Sequence, residues 1–207
     1  MNIIRVQGFF ENILAVHKWI YYYGSLTFFH FLLTIADFYL IFNLQFKCTF
    51  MERTFYLAPI GLLEITGSEQ GISGISFADH VDTVIENPVC LRECVKQLHE
   101  YFDNSRKSFD ITHDLAGSEF QRKVWNDIYK IPFGKTCSYN DIAKKLGDKE
   151  AVRAVGHAVG KNPLAIIIPC HRVIGSDGKL VGYAGGLWRK KWLLNFENKD
   201  VQGELFI

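Results

Sequence analysis

The chain lacks the marks of several common protein classes. Its five cysteines, Cys48, Cys90, Cys94, Cys137 and Cys170, include no CxxC pair and no dense spacing. That excludes a secreted disulfide scaffold and makes a reducing cytoplasm the expected compartment. The amino terminus shows no basic start, compact apolar run and small-residue cleavage site of a signal peptide. Net charge is nearly absent, at +1 over 207 residues. The neutrality hides a division: residues 1–117 hold 8 Lys/Arg against 13 Asp/Glu, a net −5, whereas residues 118–207 hold 15 against 9, a net +6. A nucleic-acid partner is therefore not excluded, because a basic half can face phosphate while an acidic half faces solvent. With 48% hydrophobic and 22% charged residues, disorder is excluded for most of the chain, and the length suits one ordinary domain or two small ones sharing a surface.

The first fifty residues are poor in charge and rich in rings. They carry 14 of the 30 aromatic residues and only five charged ones, Arg5, Glu11, Lys18, Asp37 and Lys47. The run from Leu26 to Phe46 is long enough to cross a hydrocarbon core of about 30 Å as a helix. His30, Asp37, Asn43 and Gln45 interrupt it, and polar groups at that depth are costly. Three readings of residues 1–50 stay open: a non-native or mis-started leader ahead of Met51, which we favour; an anchor in contact with a membrane; and a folded extension.

From Met51 the pattern predicts an α+β fold in two units. Thr54 to Leu57, Leu62 to Thr66 and Ile72 to Phe77 are short β-rich runs. The turn-forming segments Pro59-Ile60-Gly61 and Gly67-Ser68-Glu69-Gln70-Gly71 separate them, which is the signature of an antiparallel meander. Pro88 suits the first turn of a helix running to about Phe102, with Val89, Cys90, Val95, Leu98 and Phe102 as its apolar stripe. This β-meander and helix unit, residues 51–116, carries no visible chemistry and ends in a polar connector, Lys107 to Ala116. The second unit, residues 117–207, opens with Ser118 and Gln121 placed as a capping box for a helix through about Lys130. Ser138 to Leu146 and Asp148 to Gly160 are two further helical patterns broken at Gly147, the outline of a helix-turn-helix. In the second of these Arg153 stands among Ala151, Ala154, Gly156 and Ala158, and so small a surface is able to approach a nucleic-acid groove. A tightly packed structural helix pair has the same spacing.

Cys170 lies in the segment Ile168-Pro169-Cys170-His171-Arg172-Val173. A free thiol has a pKa of about 8.5, so cations beside it raise the reactive thiolate fraction. His171 and Arg172 are the expected sources of that field. Consecutive side chains on extended backbone point to opposite faces, so contact between Cys170 and His171 needs a turn or a bridging water. Lys190 and Lys191 are read as a solvated face. Cys90 and Cys94 lie one helical turn apart, but no CxxC or HxxxH partner completes a zinc set, and no metal site is expected.

These motifs resemble the O6-alkylguanine-DNA alkyltransferases, also called methylated-DNA–protein-cysteine methyltransferases. Besides the Cys170 segment, the match rests on Asn162-Pro163 upstream and on Gly182-Tyr183-Ala184-Gly185-Gly186, Leu193-Leu194 and Glu197 downstream. Further matches are Val124-Trp125, Ile131-Pro132-Phe133-Gly134, Ser138-Tyr139 and Ala151-Val152-Arg153-Ala154-Val155-Gly156. The resemblance is dense from Phe120 to Glu197 and looser in the amino-terminal unit.

The resemblance implies stoichiometric, self-inactivating transfer of an alkyl group from O6 of guanine in double-stranded DNA to Cys170, without a cofactor, by a monomer. O4-alkylthymine is a further substrate for which it leaves room. Glu197, His171 and a water would polarise the thiol, Asn162 would hold the loop beside it, and Tyr139 would donate to guanine N3. Arg153 would fill the stack vacated by the extruded base, with Ala154, Gly156 and Tyr139 close to the DNA. Tyr183, Ala184 and the backbone of Val173 would form the substrate pocket. Two departures stand out: Ala184 replaces a Ser found in relatives, and His157 occupies a position that is usually small. A damage sensor of the same fold and a helix-turn-helix transcription regulator are the alternatives. The retained Cys170 argues against the first, and specific binding to one undamaged sequence would mark the second.

Overall fold

A computed structural model describes residues 51–81 and 87–198. The aromatic segment 1–50, with Cys48, lies outside the described residues, so all three readings of it stand as they were. From Met51 the first unit is a three-stranded antiparallel meander, β1 (Glu52–Ala58), β2 (Gly61–Ser68) and β3 (Gly71–Phe77), in that order across the sheet. Leu63 pairs with Tyr56 on one side and Phe77 on the other, and a bulge interrupts the second ladder at Thr66 and Gly67. Alternation of the β2 side chains buries Leu63 and Ile65, the half-buried pattern expected of a sheet covered on one face.

Helix α1 (Val89–Phe102) covers that face, with Pro88 as its N-cap residue and not inside its first turn. The expected stripe is rotated. Val89 is 72% exposed, while Leu91, Cys94, Leu98 and Tyr101 are buried together with Gln97. The 91-94-98-101 series follows the helical repeat more closely than the predicted one. Gln97 masks it, because a polar residue enters the stripe by bonding the backbone: its Nε2 donates to Asp110 O and its Oε1 accepts from Asp110 N, both at 2.9 Å.

The connector is also more than a polar link. Phe109 is buried, and the chain pairs with the free edge of β3 through Ile72 N to Thr112 O at 3.0 Å and Asp114 N to Ile72 O at 2.9 Å. Farther along the same edge, Ile75 N donates to Pro163 O at 2.8 Å and Ala165 N to Ile75 O at 3.1 Å. One strand edge thus anchors both the connector and the loop leading to Cys170, and its backbone groups are not left open to another chain.

The second unit begins at α2 (Glu119–Tyr129), whose expected capping box of Ser118 and Gln121 is present. A two-residue strand β4 (Cys137–Ser138) leads into α3 (Tyr139–Lys145), capped by Ser138 and Asp141. Gly147, at φ 84°, makes the left-handed break between the helices, a 3₁₀ turn follows at Lys149–Ala151, and α4 (Val152–Gly160) completes the helix-turn-helix. Trp125 of α2 donates from Nε1 to Ala158 O at 2.8 Å, tying α4 to the core. After the 3₁₀ turn Cys170–Arg172, strand β5 (Val173–Ile174) pairs in parallel with β4, and α5 (Leu187–Asn198) closes the fold. The buried side chains of both units form one continuous cluster. Among the described residues no helix is long and apolar enough to cross a membrane.

Candidate active site

The loop between α4 and Cys170 is held in a single shape by Asn162. Its Oδ1 accepts from Leu164 N at 3.0 Å, and its Nδ2 donates to Ile168 O at 2.8 Å and to Cys170 Sγ at 3.0 Å. The loop carries one strained residue, Ile166, fully buried with φ 75°. That region is rare for a β-branched side chain and persists only where the surroundings over-determine it. The side chain of Asn162 and the pairing of Ile75 with this loop provide that constraint.

The residues Cys170, His171 and Arg172 form a 3₁₀ turn, in which successive side chains diverge by about 120°. This resolves the geometric objection to an adjacent cysteine and histidine. Cys170 faces a cleft, while His171 and Arg172 point into the core. His171 Nε2 lies 2.8 Å from Glu197 Oε1. Arg172 donates from Nε to Glu197 Oε2 at 2.9 Å and from Nη2 to Oε1 at 2.8 Å, and also bonds Ile131 O. Tyr101 donates to Glu197 Oε1 at 2.7 Å, and Gly134 N to Oε2 at 3.2 Å. Glu197 is 1% exposed. Burial opposes its charge, but the bonds from His171 and Arg172 prevail and hold the carboxyl well below the usual range. An ionised carboxylate only accepts, so Nε2 of His171 carries the hydrogen and Nδ1 keeps its lone pair. Nδ1 is buried with no hydrogen-bond partner. Burial pushes the pKa of His171 down against the pull of Glu197, which keeps the ring neutral and leaves the Nδ1 lone pair unprotonated.

The expectation that Arg172 and His171 supply the cationic field at Cys170 is overturned. Arg172 is spent on Glu197, and His171 is neutral. The cation is Lys190, read from sequence as solvated and found fully buried. Its Nζ donates to Val173 O and Val181 O at 2.7 Å and to Gly182 O at 3.2 Å. It sits 6.0 Å from the centre of the Tyr139 ring. Burial pushes Lys190 down to about 8, against the attraction of Cys170. Burial also pushes the Cys170 thiol up, opposed by the bond from Asn162 and by the charge of Lys190. The resting sulfur is therefore a protonated thiol, not the ready thiolate that neighbouring cations suggested. A signal for Lys190 was present: it lies seven residues before Glu197, two turns along the same face of α5. The amino-terminal unit, expected to carry no chemistry, contributes Tyr101 to this network.

The cleft has a volume of about 720 Å³, with Cys170, Asn162, Tyr139, Arg153, Tyr183 and Ala184 among its walls. Gly156 lines it too, whereas Ala154 is exposed on α4 without lining it. Val173 does not line it; its side chain is buried and its carbonyl is taken by Lys190, which removes it from the pocket assigned to it. Tyr139 donates to Val181 O at 3.2 Å. The Tyr183 hydroxyl is buried without a hydrogen-bond partner. Burial and the nearby Cys170 hold the Tyr183 phenol well above its ordinary pKa, so it remains a neutral donor. Among the described residues no three His, Cys, Asp or Glu side chains converge as a metal site.

Fold and site together define a protein with one thiol set in a cleft beside a helix-turn-helix. The chain belongs to the 6-O-methylguanine DNA methyltransferase family: the ribonuclease-like domain of that family matches residues 51–115 and its DNA binding domain residues 119–199. The methylated-DNA–protein-cysteine methyltransferase of Methanosarcina acetivorans is 44% identical over 153 residues, covering 71% of this chain and 98% of the relative. That of Mycolicibacterium paratuberculosis is 46% identical, covering 72% and 93%. Among solved structures, Mycobacterium tuberculosis OGT in complex with DNA superposes with a TM-score of 0.66 at 39% identity, covering 73% of this chain and 95% of that one.

Proposed function

We infer that the protein repairs DNA by direct transfer of an alkyl group from O6 of guanine to its own Cys170. The observation that carries this reading is Cys170 Sγ at the wall of the cleft, held 3.0 Å from Asn162 Nδ2, with α4 forming the adjoining rim. The thiol proton passes to His171 Nδ1, relayed by a water, and Glu197 stabilises the imidazolium that results. The sulfur then attacks the alkyl carbon in line, the S–C bond forms as the C–O6 bond breaks, and the thiol proton ends on the departing guanine. Tyr139 donates to guanine N3 during that departure. The thioether product has no second nucleophile to clear it, so each chain reacts once. A cofactor has no step to perform, and one chain contains every group used. The free thiol requires a reducing compartment, in keeping with the cytoplasm.

The alkyl carbon lies inside a stacked duplex, so the base is extruded into the cleft. Arg153, exposed on α4 at the cleft edge, fills the gap it leaves. Unstacking costs a few kcal/mol, and each ~1.4 kcal/mol of lost support slows the step about tenfold. Arg153→Ala is expected to slow repair of O6-methylguanine in duplex by about tenfold or more, while free O6-benzylguanine reacts at close to the wild-type rate. Single-turnover assays on the two substrates check this. Equal losses on both would exclude the extrusion role and point to damage to the fold.

A further inference from the structure

His157 is the residue of α4 that this chemistry leaves unused. It lies four residues after Arg153 and four before Lys161, and side chains at that spacing follow one edge of a helix. All three are exposed, and none has a side-chain hydrogen bond or ion pair among the described residues. Gly156 and Gly160 lie along the neighbouring edge and, with Arg153, line the cleft, whereas His157 and Lys161 do not. The opposite face, Val155, Ala158 and Val159, is buried, so the orientation of the helix is fixed. From the cleft outward, α4 presents a bare edge and then a cationic one.

We propose that His157 and Lys161, on the edge of α4 that continues from Arg153, form a track for one phosphodiester strand, and that His157 engages it only when protonated, so that duplex binding takes up a proton. The proposal rests on the reading of the cleft as a DNA-repair site. From His157 to Lys161 the helix rises about 6 Å, the span of about two phosphates at about 3.4 Å of duplex axis each. Helices α2 and α3 and the 3₁₀ turn at Lys149–Ala151 pack against α4, and their carboxylates are engaged elsewhere. Glu119 pairs with Lys123, Asp127 with Lys130, and Asp141 with Lys144 and Ser138, while Asp148 caps the turn. Glu150 is exposed on the turn, and among the described residues no carboxylate lies within ion-pair distance of His157. Arg122, Lys145 and Lys149 add only further positive charge on these elements. Among the described residues a protonated His157 thus has no counter-ion, and a phosphate supplies one. Imidazole is the side chain whose charge changes between pH 5 and 8. Because the bound state holds the extra proton, affinity is gained as pH falls and lost as pH rises.

The test is the affinity of the full chain for an unmodified duplex of one fixed sequence, measured at about pH 6 and about pH 8 over a range of salt. Wild type should bind roughly five-fold or more tightly at the lower pH, with a logarithmic salt slope steeper by about 0.9, the equivalent of one more phosphate contact. His157→Gln should show the weaker affinity and shallower slope at both pH values, and His157→Lys the tighter affinity and steeper slope at both. Wild-type binding that is independent of pH, or His157→Gln that keeps the pH dependence, would overturn the proposal alone, provided methyl transfer to Cys170 is intact. Absence of duplex binding at either pH would overturn it together with the functional reading.

Discussion

Glu197→Gln is expected to lower the rate of Cys170 alkylation by free O6-benzylguanine by roughly 100-fold or more, the typical contribution of a positioned general base. The substitution preserves shape and removes charge. His171 then loses the carboxylate that fixes its tautomer and stabilises its protonated form, so Nδ1 becomes a weaker acceptor of the thiol proton. Arg172 meanwhile keeps its buried charge, at 5% exposure, without an anion to offset it. Breaking a buried pair from one side costs about 3–5 kcal/mol, so thermal unfolding should shift to a markedly lower temperature. The rate is to be measured on the fraction shown to be folded by circular dichroism. A folded variant that reacts within about twofold of wild type would remove Glu197 from the proton path.

Most of this site is legible in the sequence motifs. Cys170 and His171 stood out in one contiguous segment, Asn162 and Glu197 were implied by the family resemblance, and the structure places Asn162 against Cys170 and Glu197 against His171. The capping box of Ser118 and Gln121 and the Gly147 break were readable because they depend on neighbours three or four residues away. Lys190, Arg172 and Tyr101 were misread or missed for a common reason. A charged or hydroxyl side chain in a short apolar stripe looks solvated until its partner is known, and their partners lie far along the chain: Arg172 is 25 residues from Glu197 and Tyr101 is 96. The stripe of α1 was misplaced by Gln97, whose burial depends on the Asp110 backbone. Composition carries no record of such pairings.

Lys190→Met is the second large effect expected. The side chain keeps nearly its length, but the carbonyls of Val173, Val181 and Gly182 lose their shared donor. Leaving the buried Val173 carbonyl unpaired costs about 1–3 kcal/mol, and the segment from Val181 to Ala184 that walls the cleft loses its tether. The thiol also loses the cation that offsets its burial. A tenfold or greater fall in the rate with O6-benzylguanine is expected, about 1.4 kcal/mol of lost support.

The pH profile separates the charge from the tether. In wild type, Cys170 stands above its ordinary pKa, so its thiolate fraction, and with it the rate, climbs with rising pH through neutrality. Lys190 loses its proton near its depressed value of about 8, so support for the thiolate fades there and the climb should slacken above that pH. In Lys190→Met the climb should start from a lower rate and continue without a break. A variant that retains both the wild-type rate and the wild-type break would show that Lys190 exerts no electrostatic influence on the sulfur.

The acceptor itself admits the most direct measurement: intact mass and peptide mapping of the full chain after incubation with excess duplex carrying one O6-methylguanine. The account predicts one added methyl group per chain and no more, located in the tryptic peptide of residues 162–172 on Cys170, with one guanine restored in the DNA for each methyl gained. A methyl on Cys48, Cys90, Cys94 or Cys137, repeated turnover by one chain, or repair that leaves the protein mass unchanged would contradict it.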